Sequence, residues 1–266
     1  MCSDLIRLVC SAVLVFVASA ASPAAQPDRL ALSVGVQLQS PAGLVEPSAI
    51  LSRDFANRLT VDALPVPRSA RISAQAFDGT FTYYSFSTSF QYGSNTVEAG
   101  EIYQQQGSEL APATEIAEKP AFTDSTRLAG IAIYGSTLYF VTDGNAILAN
   151  RPIAPQDVVT IEDGQPTTIL DGSELGVPKS VRITALEVTG ENRFLLSFSG
   201  SFDLDSLIVR RGDILAVELS NPNTFEILVP REESYGLCQN CYITSMSASV
   251  DDDLIFRSNF YNPWGN

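Results

Sequence analysis

Residues 182–204 read Arg182-Ile-Thr-Ala-Leu-Glu-Val-Thr-Gly-Glu-Asn-Arg-Phe-Leu-Leu-Ser-Phe-Ser-Gly-Ser-Phe-Asp-Leu204. Leu196, Phe198, Phe202 and Leu204 fall at every second position of one run, the mark of a half-buried strand. The turn Gly190-Glu-Asn192 separates that run from an apolar strand over 183–188. Going back 112 residues finds the same stripe as Tyr84, Phe86, Phe90 and Tyr92, and the halfway step of 56 finds Phe140, Thr142, Ala146 and Leu148. A further 56 back from Phe86, Phe90 and Tyr92 are Leu30, Val34 and Val36. The chain is therefore a tandem repeat of about 56 residues, and a period in this range indicates solenoids, propellers or arrays.

Other positions keep the same step. Glu101-Ile102, Asp157-Val158 and Asp213-Ile214 each open a short apolar strand, 56 and 56 residues apart. Arg71, Arg127 and Arg182 are 56 and 55 apart, and the fourth copy, Asn240-Cys-Tyr-Ile-Thr-Ser, lacks the arginine. The third copy predicts four strands, over 183–188, 194–204, 213–219 and 224–229, and no amphipathic helix follows the N-terminal segment. Four-stranded units in tandem are what a β-propeller uses. The expected fold is all-β and propeller-like, with four blades closed by N- and C-terminal partial repeats. Its divisions are a partial repeat 26–70, repeats 71–126, 127–181 and 182–241, and a partial repeat 242–266. Residues 243–249 would latch onto the sheet begun at Leu30, leaving one second-strand copy, 30–38 or 254–260, surplus. An open arc of sheets and a duplicated β-sandwich are the competing architectures.

Composition excludes several chemistries. The 266 residues carry 30 acidic and 16 basic side chains, a net charge of −14, and no histidine. Without histidine there is no Ser-His-Asp or Cys-His catalysis and no HExxH zinc site. The charge argues against nucleic acid and anionic membranes as partners. Apolar residues make up 45% of the chain, ample for a core that needs no metal. Residues 1–25 read as a signal peptide, cleaved near 20 or 25, because the apolar run is too short to span a bilayer. The mature protein is expected to be secreted or periplasmic, with no membrane anchor. After cleavage two of the four cysteines remain, Cys238 and Cys241, and export favours a small loop disulfide between them over a redox motif.

The segments Ile161-Glu-Asp-Gly164, Thr168-Ile-Leu-Asp-Gly-Ser-Glu-Leu-Gly-Val177, Ile183-Thr-Ala-Leu-Glu-Val188 and Phe194-Leu-Leu-Ser-Phe-Ser-Gly-Ser-Phe202 resemble exported bacterial repeat proteins of propeller-like type. The resemblance is clearest over 134–228 and brings no catalytic residue with it. Those proteins tend to carry an acid where this chain has Arg71, Arg127 and Arg182, so no ligand site is carried over either.

A feature present in every unit belongs first to the scaffold. By that rule Arg71, Arg127 and Arg182 are repeat-structural, and the aromatic run Phe81-Thr-Tyr-Tyr-Ser-Phe86 is core rather than a sugar platform. Glu101, Asp157 and Asp213 are the weak candidates for a cation site: equivalent residues of adjacent blades converge if they lie near the axis, and carboxylates suit calcium. Their plainer role is strand opening, or ion pairing with the repeated arginines. Asp251-Asp-Asp253 reads as a turn, Asp203 and Asp205 as surface acids, Arg211-Gly-Asp213 as a strand opening rather than an adhesion signal, and the tail Phe260-Tyr-Asn-Pro-Trp264 as a last strand rather than a docking peptide. No catalytic residue and no cofactor is assigned, calcium being the one candidate. The expected function is an exported, non-catalytic binding or scaffold protein for an extracellular ligand or protein. The alternative is a carbohydrate-active hydrolase with paired carboxylates, which needs no histidine.

Overall fold

The computed structural model describes residues 29–34, 38–40, 43–54, 59–106, 109–114, 116, 120, 126–220, 223–230 and 242–249. The signal-peptide segment, Cys238, Cys241, Asp251 to Asp253 and the aromatic tail lie outside these residues. The described chain contains strands and no helix.

Each repeat folds as one antiparallel blade. The first holds β1 (Arg29–Val34), β2 (Leu38–Ser40), β3 (Gly43–Val45), β4 (Ala49–Asp54) and β5 (Leu59–Ala63). The second holds β6 (Ile72–Phe77), β7 (Thr82–Phe86), β8 (Phe90–Tyr92), β9 (Asn95–Val97), β10 (Ile102–Gln106) and β11 (Glu109–Pro112). The third holds β12 (Leu128–Tyr134), β13 (Thr137–Thr142), β14 (Ala146–Leu148), β15 (Arg151–Ile153), β16 (Val158–Glu162) and β17 (Gln165–Leu170). The fourth holds β18 (Ile183–Gly190), β19 (Arg193–Phe198), β20 (Phe202–Leu204), β21 (Leu207–Val209), β22 (Ile214–Glu218) and β23 (Thr224–Val229).

The ring closes in the way expected from the leftover strands at the two ends of the chain. The last described strand, β24 (Ile243–Ser249), pairs with β1, and the first sheet runs β24-β1-β4-β5. The other sheets run β6-β7-β10-β11, β12-β13-β16-β17 and β18-β19-β22-β23. Strands β24, β6, β12 and β18 each touch the next in cyclic order and line the central axis. The result is a four-bladed β-propeller. Of the two candidates for the surplus copy, the one near Leu30 supplies the second strand of the first blade, while 254–260 lies outside the described residues.

Four apolar clusters hold the ring, one between each pair of neighbouring blades. Ile50 meets Tyr84 and Phe86; Tyr83 and Ile102 meet Ile131 and Phe140; Val141 and Val158 meet Leu186 and Phe194; Ala185 and Leu195 meet Leu32 and Leu51. The alternating stripe is core, as expected: Phe86, Phe140 and Phe198 are at most 1% exposed. The inner strands are rich in small residues because four of them share a narrow axis. A Cβ at Gly130 would lie 2.9 Å from Leu186 Cβ and 2.9 Å from Val141 Cγ2.

One expected strand is corrected. The run 194–204 is split, since β19 ends at Phe198 and residues 202–204 form β20, which pairs with β21 in a separate hairpin. Ser199-Gly200 breaks the strand, and Asp205, with φ of 51°, turns the hairpin. Hairpins β2-β3, β8-β9 and β14-β15 stand at the same place in the other blades. The aromatic stripe survives the break because Phe86–Phe90 and Phe198–Phe202 both pack edge to face, each pair with centroids 5.0 Å apart.

Candidate functional site: the mouth of the ring

The repeated acids do not converge. Glu101, Asp157 and Asp213 stand just before β10, β16 and β22, the third strands of their blades and so two strands out from the axis. Asp157 and Asp213 instead close the turns that feed those strands. Ala154 N–H donates to Asp157 Oδ2 at 3.3 Å and Gly172 N–H to Oδ1 at 3.2 Å. Burial raises the Asp157 pKa against the lowering effect of these two donors. Arg210 N–H donates to Asp213 Oδ2 at 2.7 Å, and Asp213 is 2% exposed. Glu101 is exposed. Among the described residues no group of three acidic, Cys or His side chains is placed to hold a metal ion. Burial of Asp213 also removes the acid an adhesion receptor would need from Arg211-Gly-Asp213.

The repeated arginines do converge. Arg71, Arg127 and Arg182 immediately precede β6, β12 and β18, three of the four inner strands, and all three line one depression at that end of the axis. Tyr242, which precedes β24, fills the fourth corner. The depression has a volume of about 150 Å³. Convergence at the axis depends on which strand lies innermost, and the arginines, not the acids, stand at the start of those strands.

The three arginine corners are anchored by the same backbone bond. Ser87 N–H donates to Arg71 O, Asp143 N–H to Arg127 O and Ser199 N–H to Arg182 O, each at 2.9 Å. Arg127 N–H returns a bond to Asp143 Oδ1 at 3.1 Å, and Arg182 N–H to Ser199 Oγ at 3.1 Å. Arg182 also reaches into the third blade, its guanidinium donating to Asp143 O at 3.0 Å. The corner without its own arginine still has a cation beside it, since the Arg211 guanidinium lies 4.8 Å over the Tyr242 ring. Arg71 and Arg182 remain exposed. Three arginines against Asp143 leave the lining with a net positive charge in a protein of −14.

A second concavity, of about 250 Å³, lies between the first and second blades and is lined by Ser52, Asp62, Gln75 and Tyr84 among others. Gln75 is 1% exposed; its Nε2 donates to Ala31 O at 2.8 Å while its Oε1 has no partner. Elsewhere in the ring, Glu187 is buried on β18, accepting from Val188 N–H at Oε1 and Ala248 N–H at Oε2, both at 2.9 Å. Burial raises its pKa to about 8, the two backbone donors offsetting only part of the effect. Sequence reasoning missed both groups: alternation placed them on strands without showing that blade-to-blade packing would cover them.

No family model matches the chain, and no curated protein matches it. Solved structures similar in fold include a catalytically inactive virginiamycin B lyase from Staphylococcus aureus with quinupristin, at 12% identity and a TM-score of 0.30. That similarity covers 75% of this chain and 57% of the lyase. Another is the extracellular domain of a putative hybrid two-component system from B. thetaiotaomicron, at 11% identity and a TM-score of 0.33, covering 81% of this chain and 35% of that one. A third is YCF48 bound to D1 peptide, at 13% identity and a TM-score of 0.30, covering 78% of this chain and 74% of that one. These similarities concern the fold, and no activity is carried across from them.

Proposed function

We propose that the protein is an exported, non-catalytic β-propeller that binds an extracellular ligand or partner, with the arginine-lined mouth of its ring as the binding surface. One observation carries the reading: Arg71, Arg127 and Arg182, from three different blades, line a single depression. Concave sites with a few convergent polar groups are where ligands bind. Glycoside hydrolysis would need two carboxylates about 5–10 Å apart in a cleft. Among the described residues, Asp143 is the acid lining the mouth and Asp62 the acid lining the interblade concavity, so neither concavity presents a pair there. Export rests on the apolar N-terminal segment, and a disulfide between Cys238 and Cys241 would follow from it.

The test is a ligand screen by thermal shift, run on the wild type and on a variant combining Arg71→Gln, Arg127→Gln and Arg182→Gln. Compounds that stabilise the wild type should lose their effect in the variant and keep it in Arg68→Gln, an exposed arginine outside the mouth. Turnover of chromogenic glycosides, or ligands indifferent to the three arginines, would refute the proposal.

A further inference from the structure

The mouth has a floor as well as a rim, and a β-bulge builds it. Ile72 pairs with Phe86 and Ala74 with Ser85, so Ser73 between them is the extra residue on its strand. Ala129 is skipped in the same way between Leu128 and Gly130, and Thr184 between Ile183 and Ala185. On the closing strand, Ser33 pairs with Ser245 and Val34 with Ile243, which leaves Thr244. All four inner strands thus carry a bulge one residue beyond the corner positions Arg71-Ile72, Arg127-Leu128, Arg182-Ile183 and Tyr242-Ile243. A bulge re-aims the side chain of its extra residue, and all four extra residues line the mouth.

Two of those residues hold unused hydrogen-bonding groups. Ser73 Oγ and Thr184 Oγ1 are buried without a partner, and Thr184 is 4% exposed. Thr244 Oγ1 is shared with Ser33 Oγ at 2.9 Å, and Ala129 has no polar atom. Ser73 and Thr184 belong to the second and fourth blades, on opposite sides of the axis. Buried polar groups in folded proteins are nearly always bonded, and these two unpaired hydroxyls belong to residues that line the mouth, where a turn about χ1 would bring each oxygen to a ligand. The rim narrows what that ligand is. Guanidinium groups only donate, and a hydroxyl beside them is free to donate as well. The complement is a group that only accepts and carries negative charge. The depression, of about 150 Å³, has room for one acidic group and is open to solvent on its outer side.

We infer that the mouth binds an oxyanion, a carboxylate, sulfate or phosphate group seated on the propeller axis. Ser73 and Thr184 donate to its oxygens from the floor, and Arg71, Arg127 and Arg182 supply charge and further donors from the rim. Asp143, engaged by the Arg127 N–H, is the one opposing charge in the lining. This specifies the ligand of the binding surface proposed above and rests on that reading. Whether the group is a free anion or the acidic end of a larger molecule is a question of source, and the probes separate the two.

Isothermal titration calorimetry with sodium sulfate, phosphate, acetate and glucuronate, and with neutral glucose, is run at one ionic strength set by sodium chloride. At least one anion is expected to bind, and glucose is not. Glucuronate binding more tightly than acetate identifies the acidic end of a larger ligand, and the reverse order identifies a free anion. Thr184→Val keeps the side-chain volume and should weaken binding roughly 10-fold or more, as expected for a hydrogen bond to a charged group. Ser73→Ala should act in the same direction, the triple arginine variant should abolish binding, and Arg68→Gln should leave it unchanged. If the triple variant fails to fold, Thr184→Val decides. Anion binding unchanged by Thr184→Val and Ser73→Ala would overturn the inference. Glucose binding that the arginines control would also overturn it while leaving the binding surface in place. Binding indifferent to all these residues would overturn both.

Discussion

Glu187 makes the stability of the ring depend on pH in a direction opposite to that of most carboxylates. It is 2% exposed on the innermost strand of the fourth blade, and its Oε2 accepts from Ala248 N–H on β24. The carboxyl group therefore stitches the fourth blade to the strand that closes the ring. Its pKa is about 8 in the folded state against 4.5 for an ordinary glutamate, so the native state holds the proton more tightly than the unfolded chain does. Its contribution is fully present below pH 4.5 and is lost as pH rises toward about 8. Each pH unit inside that window is worth about 1.4 kcal/mol, so moving from about pH 5.5 to 8.5 should remove about 3 kcal/mol. That is a large fraction of the total stability of a typical domain. The assay is urea unfolding across that range for the wild type and Glu187→Gln. Glutamine cannot ionise, but its amide nitrogen must face one of two backbone N–H groups, so the variant should start about 1–3 kcal/mol less stable at low pH. The wild-type advantage should then shrink by about 3 kcal/mol as pH rises. A difference between the two proteins that stays flat from about pH 5.5 to 8.5 would refute the reasoning, since no other group distinguishes them.

Closure by β24 can be tested at Met246, which is fully buried in the cluster between the fourth and first blades; Met246→Ala should cost about 2–5 kcal/mol in urea unfolding. At the axis, Gly130→Ala would place its Cβ 3.0 Å from Leu186 N as well as against two side chains, and should cost about 1–3 kcal/mol. Gly144→Ala meets nothing within 4 Å and should change stability by less than about 0.5 kcal/mol in the same assay. Asp213→Ala strands the Arg210 N–H and should cost about 1–3 kcal/mol. Calcium or EDTA should shift the wild-type melting temperature by less than about 1 °C, because a 1 kcal/mol effect would move it by several degrees. A calcium-induced rise that Asp213→Ala abolishes would restore the cation site.

Much of the architecture was legible because repetition is a sequence property. The recurrence of Phe86, Phe140 and Phe198 marked the buried stripe, and the leftover strands at the two ends implied the β1–β24 pairing. The hairpin β20-β21 was less visible. Phe198 and Phe202 keep even spacing across Ser199-Gly200, so alternation alone reads through the break. The mouth was half legible. Arg71, Arg127 and Arg182 were picked out as a repeated set, but so were Glu101, Asp157 and Asp213, and spacing treats the two sets alike. The available signal was position within the unit: each arginine precedes the first strand of its repeat and each acid the third.

The amino-acid sequence by itself determined the four-stranded unit and the side of each strand that faces the core, because burial periodicity and repeat length are local patterns written along the chain, whereas the closing of four such units into a ring was decided by the pairing of β24 with β1. Only the tertiary structure decided which strand of each blade lies on the axis, and so that arginines rather than acids meet at the mouth. It alone showed that Ser73, Ala129, Thr184 and Thr244 are the extra residues of four bulges. A bulge is a mismatch between two strands, and no single strand records it. The same holds for Glu187, whose raised pKa comes from the neighbouring blade that covers it, a consequence of closing the ring.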